Sequence, residues 1–266
     1  MPFIVHARRA CARAARVLTQ YRREYIALSA GNGDHGRLGH GSPDEAHDGW
    51  SPRSSNYFHP VEGVSDLDVR AVAAGGAHSV FLVAGGHVFT CGLNADGQLG
   101  HSAGLPFSPE PMLVRLDVEV VSVAAGNGHT LCVDVDGCVW AFGKNTAGQL
   151  GTGNVDGTIP RKIGALAKEA RVAQVACGAE HSLAVADDGR VYSWGSSTDG
   201  VLGHGSETWN DGWFYRTARA ELAPRLVRSL EDKKVVAVAA GHMHSCLLYT
   251  SPSPRDATLS RMPSSA

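Results

Sequence analysis

Nothing in this 266-residue sequence, 43% hydrophobic overall, reaches the roughly 20 consecutive apolar residues that a bilayer-spanning helix needs. The six cysteines (Cys11, Cys91, Cys132, Cys138, Cys177 and Cys246) contain no CxxC spacing, and no secretory leader is recognisable upstream of them. A disulfide framework is therefore not indicated, and reduced, mostly buried thiols are expected. Charge of one sign is also lacking. A formal net charge of −2 gives no bulk attraction to nucleic acid, so such a role would need a local basic patch. No nucleophile–base pair, ligand cluster or paired carboxylates stand out. The chain reads as non-enzymatic, with no cofactor expected.

What the sequence has in excess is glycine, 32 residues of 266 against an average near 7%, and the excess is organised. One nine-residue stretch is written four times: GNGDHGRLG (31–39), GLNADGQLG (92–100), GKNTAGQLG (143–151) and GSSTDGVLG (195–203). A second signature follows each copy: Gly75-Gly76-Ala77-His78-Ser79, Gly126-Asn127-Gly128-His129-Thr130, Gly178-Ala179-Glu180-His181-Ser182 and Gly241-His242-Met243-His244-Ser245. The histidines are 51, 52 and 63 residues apart. A period near 50 points to propeller blades rather than a helical array.

Between the signatures the residues read as strands. Val69–Ala73 and Val172–Ala176 are short, β-branched and bounded by glycine, and each G-x-x-H-[ST] leads into an apolar strand,. Two-residue turns with positive φ are expected at Gly85-Gly86, Asp136-Gly137 and Asp188-Gly189, followed by strands at 88–91, 139–142 and 191–194. Such a turn would pair 135 with 138 and put Cys132 opposite Ala141, so that Cys132 and Cys138 do not face each other. The repeat also produces decoys. Residues 31–36 match GxGxxG, but the following RLGHGSP cannot open the helix a dinucleotide site requires, and 143–148 has P-loop spacing without its Lys and Ser/Thr,.

The pattern V-x-x-[VA]-A-x-G-x-x-H-[ST] … D-G-x-V-[YW]-x-[WF]-G-x-N-x-x-G-Q-L-G resembles the repeat of the regulator-of-chromosome-condensation family over residues 28–248. The resemblance implies an all-β fold, a β-propeller of that type with about four blades present, as a partial seven-bladed ring. It also implies a scaffold that presents loops to a protein partner in a regulatory role. Two alternatives accompany it. The founding member accelerates nucleotide release from a small nuclear GTPase, which makes guanine-nucleotide exchange the first, and organelle RNA or ribosome-associated work the second. A light-absorbing branch of the family carries tryptophans beside the G-x-x-H signature. Here those positions read Gly-Ala, Asn-Gly, Ala-Glu and His-Met, so photoreception is not expected.

Within this frame His78, His129, His181 and His244, with Gly100, Gly151 and Gly203, read as structural repeat positions. Histidines on successive blades stand too far apart to share one zinc ion, which needs nitrogen at about 2.0–2.1 Å. Trp140 and Trp194 are placed at the strand position matched by Cys91, as core. The candidate partner-binding residues lie where the repeats stop matching. The gap between signatures is 26 and 27 residues in the regular units and grows to 36 and 38 in the outer two. The longer gaps hold Trp50, Tyr57 and Phe58 in one case and Trp209, Trp213, Phe214 and Tyr215 in the other. Loops on a rigid scaffold carry binding, and exposed aromatics anchor interfaces; both excursions leave the same point of the blade and should emerge on one face. The mixed charges of Arg216, Arg219, Glu221, Arg225, Arg228, Glu231 and Asp232 read as a solvated face.

The ends differ in composition. Residues 1–27 carry six arginines before the first acid, Glu24, which resembles an organelle transit peptide although the segment is serine-free,. Mitochondrial or plastid import is the expectation, with cytoplasmic or nuclear residence as the alternative. This arginine arm is the one place where nucleic acid is expected to bind. Residues 249–266, proline- and serine-rich without alternation, read as a disordered tail resembling translated adapter sequence, so that the natural protein would continue into further blades. An open arc is expected rather than a four-bladed ring closed by pairing Leu247 with the strand before Gly31, because seven-fold blades turn by about 51° each and four would have to turn by about 90°.

Overall fold

The computed structural model describes residues 26–41, 54–101, 104–155, 159–205 and 220–250. Three consecutive meanders form four-stranded antiparallel sheets. The first contains β3 (Val69–Ala74), β4 (His78–Val83), β5 (His87–Leu93) and β6 (Phe107–Leu113). The second contains β7 (Val120–Ala125), β8 (His129–Asp134), β9 (Val139–Gly143) and β10 (Arg161–Lys162). The third contains β11 (Val172–Cys177), β12 (His181–Ala186), β13 (Val191–Gly195) and β14 (Glu221–Leu226). Each end of the series carries a two-stranded sheet, β1 (Leu28–Asn32) with β2 (Ser54–Pro60), and β15 (Lys234–Ala240) with β16 (Ser245–Thr250). By their place in the repeat, β1–β2 are the third and fourth strands of a blade and β15–β16 the first and second. The arc is therefore three blades flanked by two complementary halves, all-β and not closed into a ring. Among the described residues one short α-helix, α1 (Gly164–Glu169), interrupts it. The last strand runs to Thr250, two residues beyond the expected boundary.

Local chemistry explains these strands. β8 and β12 are buried along their whole length, because neighbouring blades cover both faces, and such strands read as continuous apolar runs. All four first strands share a bulge that breaks period-two alternation. Val69, Val120, Val172 and Val235 pair normally, the next residue is unpaired, and pairing resumes one step on. The extra residues, Arg70, Val121, Ala173 and Val236, are exposed, as a two-against-one bulge allows.

The hairpins correct the expected turns. Val83 pairs with His87, Val133 with Val139 and Val185 with Val191, and Asp134 N–H and Ala186 N–H still bond across to Cys138 and Arg190. The loops are three residues long, and in the second and third blades only Gly137 and Gly189 have positive φ, the arrangement of a turn closed by a left-handed glycine. Cys132 consequently lies opposite Trp140, not Ala141. The tryptophan alignment also shifts. Cys91 is matched by Phe142 and Trp194, each directly before the strand-ending glycine, whereas Trp140 matches Phe89 and Tyr192 and lies half-buried, donating Nε1–H to Asp134 Oδ2 at 2.9 Å.

The apolar core lies between blades. One cluster joins Leu131, Val139, Leu150 and Ile163 of the second blade to Val175, Ala184, Tyr192 and Trp194 of the third, and three similar clusters fill the other junctions. Trp194 is fully buried and donates Nε1–H to the Gln149 carbonyl at 2.8 Å. Hairpin tips reach the next blade: the carbonyls of Gly86, Gly137 and Gly189 accept the N–H of Val120, Val172 and Val235 at 3.0, 2.9 and 3.2 Å. Described cysteines are free thiols, and burial raises Cys91 and Cys132 to about 12.

Gly151 and Gly153 both have positive φ, but a methyl on Gly151 would stand 2.8 Å from Trp194 Nε1, while one on Gly153 meets nothing within 4 Å. Gly153→Ala should cost only left-handed strain, on the order of 1 kcal/mol. Gly151→Ala adds a clash in a packed junction, and should cost about 3 kcal/mol or more, read as the difference in urea midpoints.

Candidate functional site

The two signatures meet at one rim of the arc. Each nine-residue loop follows the third strand of a blade, and each G-x-x-H-[ST] turn joins the first strand to the second. Within a turn the first glycine N–H bonds to the histidine carbonyl, at 2.8–2.9 Å in all four copies. Turns also bond to each other: Gly76 N–H to the Gly126 carbonyl at 3.0 Å, Asn127 N–H to that of Gly178 at 3.3 Å, and Ala179 N–H to that of His242 at 3.1 Å.

The histidines form a second ladder through side chains. His78 Nε2 lies 2.9 Å from Thr130 Oγ1, His129 Nε2 3.0 Å from Ser182 Oγ, and His181 Nε2 3.1 Å from Ser245 Oγ. Each hydroxyl belongs to the following blade and donates its own proton back to a loop carbonyl of the preceding one: Thr130 to Gln98 at 2.9 Å, Ser182 to Gln149 at 2.7 Å and Ser245 to Val201 at 2.6 Å. With its proton committed, the hydroxyl can only accept from histidine, so Nε2 carries a hydrogen. Nδ1 of His78 and of His129 is buried without a partner, leaving nowhere for a second ring proton to bond. Burial accordingly lowers His78 to about 4 and His129 to about 3, and lowers His181 as well. Nε2 is thus engaged in holding blade to blade. Among the described residues no three His, Cys, Asp or Glu side chains are grouped to hold a metal ion.

The loops themselves divide into two kinds. In 92–100 and 143–151 an asparagine side chain takes the leucine N–H (Leu99 to Asn94 Oδ1 and Leu150 to Asn145 Oδ1, both 3.0 Å). A glutamine side chain takes the N–H of the fifth residue, Asp96 to Gln98 Oε1 and Ala147 to Gln149 Oε1, both at 2.9 Å. In 31–39 and 195–203 those positions hold Gly33 and Arg37, or Ser197 and Val201. Without the amide, the fifth residue turns over: His35 has φ 61° and Asp199 φ 55°, the only left-handed non-glycine residues among those described. Left-handed backbone costs such residues about 1–2 kcal/mol and concentrates at functional sites. His35 and Asp199 are both exposed. These two loops open the two longer connections, both running from third to fourth strand. Beside them on the rim, Lys144 Nζ and Glu180 Oε1 form a 2.7 Å ion pair, which at that exposure contributes about 0–1 kcal/mol.

Of the aromatics expected in these connections, Trp50, Trp209, Trp213, Phe214 and Tyr215 lie outside the described residues. Tyr57 and Phe58 are in β2 rather than a loop, 70% and 74% exposed, within an irregular stretch of its pairing with β1. The shared motif did not single out the divergent loops. The signal was available in the aligned copies, as Arg37 and Val201 standing where Gln98 and Gln149 stand.

Because the ladder histidines are neutral when folded and titrate near 6.5 when unfolded, protons bind the unfolded chain preferentially below that value. Their contribution is complete above pH 6.5 and lost as pH falls toward 4 and then 3. His78 and His129 together should lower unfolding free energy by roughly 4 kcal/mol at pH 5 relative to pH 7.5. Urea titrations across this range should show the slope, and His129→Gln should remove about half of it. Thr130→Val, which strands both His78 Nε2–H and the Gln98 carbonyl, should cost about 1–3 kcal/mol at neutral pH.

Comparison with known proteins places these features in context. E3 ubiquitin-protein ligase HERC2 of Homo sapiens is 36% identical over 84% of this chain, which spans 4% of that protein. The ultraviolet-B receptor UVR8 of Arabidopsis thaliana is 34% identical over 83% of this chain, which spans 46% of that protein. The chain therefore covers less than half of either relative. The crystal structure of Prp20p from Saccharomyces cerevisiae superposes with a TM-score of 0.68 at 22% identity, covering 88% of this chain and 54% of that one, a likeness of fold. The family model of the RCC1-like domain matches residues 26–253, in keeping with the repeat, the blades and the ladder, and the chain belongs to the RCC1-like domain family.

Proposed function

We propose that this protein is a propeller scaffold whose rim, at the two divergent loops and the connections they open, binds a protein partner. One observation carries the reading: left-handed His35 and Asp199 occur in the same two units whose inter-signature gaps lengthen. Both units keep the interblade hydroxyl contact, Ser79 to the Arg37 carbonyl and Ser245 to the Val201 carbonyl, each at 2.6 Å, while giving up the amide ties that make the other loops uniform. Junction-forming parts are retained and the outward parts are free to differ. Trp50, Trp209, Trp213, Phe214 and Tyr215 fall within those connections and supply the aromatic anchors such a site needs.

A second reading, guanine-nucleotide exchange on a small GTPase, is supported by the likeness to Prp20p, whose structure was reported with its binding to Gsp1p and histones. Exchange also acts through a protein–protein face, so both readings place the partner on the same rim. The arginine arm, and import into an organelle, belong to a separate proposal that rests on the composition of residues 1–27.

Capture of interacting proteins by the full chain should be lost in Trp209→Ala/Trp213→Ala/Tyr215→Ala with the urea midpoint unchanged. Retained capture would reject the rim. Release of labelled GDP from purified small GTPases, accelerated by the parent and not by the triple variant, would establish exchange; unaltered release leaves scaffold binding as the function.

A further inference from the structure

The regular units show what the two divergent loops lack. In 92–100 and 143–151 the third residue, Asn94 or Asn145, uses its whole carboxamide as a bridge. Its Oδ1 accepts the N–H of a buried leucine, Leu99 or Leu150, at 3.0 Å. Its Nδ2 donates to a carbonyl of the connection that follows, Leu105 at 2.9 Å or Asn154 at 2.7 Å. Loop and connection are thereby joined by one neutral group that is acceptor on one side and donor on the other. Every atom of the bridge lies within a single unit, so it does not depend on the neighbouring blade.

In 31–39 and 195–203 the turn is kept and the carboxamide is gone. The third residue has φ −95° and ψ 8° at Gly33, and φ −97° and ψ 10° at Ser197. The closing bonds persist, Gly39 N–H to the Gly36 carbonyl and Gly203 N–H to that of Gly200, both at 3.0 Å, against 2.9 Å in the regular loops. Gly33 has no side chain, and the Ser197 side chain has no carbonyl oxygen. Leu38 and Leu202 are buried like their counterparts, yet their N–H groups have no acceptor among the described residues. Buried backbone N–H groups are nearly always paired, so the same donor left over at the same repeat position in both long units calls for an acceptor from elsewhere. Arg37 is not that acceptor. It has only donors, and gives Nε–H to the Asp34 carbonyl at 2.9 Å and Nη1–H to that of Gly76 at 3.1 Å.

The chemistry of the bridge defines what fits. A carboxylate would accept from the leucine N–H, but it has no donor for the connection, and both units are already acidic: four acids against Arg37 and Arg53 over 31–53, and three against Arg216 and Arg219 over 195–219. A carboxamide supplies both parts without charge. Residues 40–53 contain no asparagine or glutamine, so the first connection cannot supply its own. We propose that the partner bound at the rim presents asparagine or glutamine side chains. Each is seated at a divergent loop in the place that Asn94 and Asn145 hold in the regular ones, accepting from Leu38 or Leu202 N–H and donating to the connection. The inference rests on the rim reading and names the chemistry recognised there. At the regular loops the chain's own asparagine already fills the place, which directs the partner to these two units.

Hydrogen exchange of the full chain reads the donors directly: Leu99 and Leu150 N–H should be protected, and Leu38 and Leu202 N–H should exchange roughly ten-fold faster or more. Titration of the isotope-labelled chain with the peptide acetyl-Gly-Gln-Gly-amide, to about 50 mM because so small a contact binds weakly, should shift the Leu38 and Leu202 N–H signals. The acetyl-Gly-Glu-Gly-amide peptide should not, and Leu99 and Leu150 should stay in place with both. Installing the missing group is the complementary test. Gly33→Asn/Ser197→Asn should raise the urea midpoint, protect both leucine N–H groups, abolish the glutamine-peptide shifts and weaken partner capture roughly ten-fold. Gly33→Ala/Ser197→Ala, which adds no carboxamide, should keep the shifts. Protection of Leu38 and Leu202 in the free parent chain, equal shifts with the glutamate peptide, or no shift at the highest concentration would overturn the proposal. So would undiminished capture by a folded double-asparagine variant of proteins that Trp209→Ala/Trp213→Ala/Tyr215→Ala loses, an outcome that leaves the rim reading standing.

Discussion

Among the described residues, three of the four junctions between blades turn on one hydroxyl that accepts from a histidine of the neighbouring blade and donates to that neighbour's loop carbonyl; at the first, Ser79 keeps only the donation, to Arg37. Thr130, Ser182 and Ser245 each occupy this place, and their geometry fixes the tautomer and the orientation of the ring. The same loop carbonyl can also accept from the packed aromatic, as Gln149 does from Trp194. Polar satisfaction and apolar filling are thus settled by the same few atoms, and an unmatched member leaves a buried group without a partner, which is more costly than the bond itself is stabilising.

Because the apolar clusters lie across junctions, a blade has little core of its own. Hairpin-tip carbonyls at one end, the turn-to-turn bonds at the other and the hydroxyl ladder between them repeat with nearly constant distances from the first blade to the last half-blade. Stability in such an array is a sum of nearest-neighbour terms. The terminal halves have one neighbour each, and β16 is exposed along most of its length while its equivalent, β12, is buried throughout.

The first three strands of each blade were legible in the sequence from their short, apolar and β-branched content and the glycines that bound them, the second being buried along its whole length in the second and third blades. The fourth was not. Pro109, Pro111 and Pro224 interrupt it, its residues are mostly exposed or half-buried, and in the second blade it shrinks to Arg161–Lys162, so neither alternation nor apolarity marks it. Turn length was misjudged for a related reason. Asp-Gly signals a left-handed residue, but whether two or three residues cross the tip depends on which strand positions pair. The histidines were recognisable as structural, yet their partners were beyond local reading, since Thr130 stands 52 positions from His78. Most of the candidate aromatics lie outside the described residues, and Tyr57 and Phe58 moved from loop to strand.

The glutamine amide that steadies Asp96 and Ala147 has a wider meaning for how such an array diversifies. Its side chain is buried but ties only its own loop, and where arginine or valine stands at 37 and 201 the fifth residue is left-handed while the backbone carbonyl of that position still accepts from Ser79 or Ser245. A repeat built this way can change its outward face one unit at a time, keeping the architecture as a fixed frame on which new specificity is tried without renegotiating how the frame holds together.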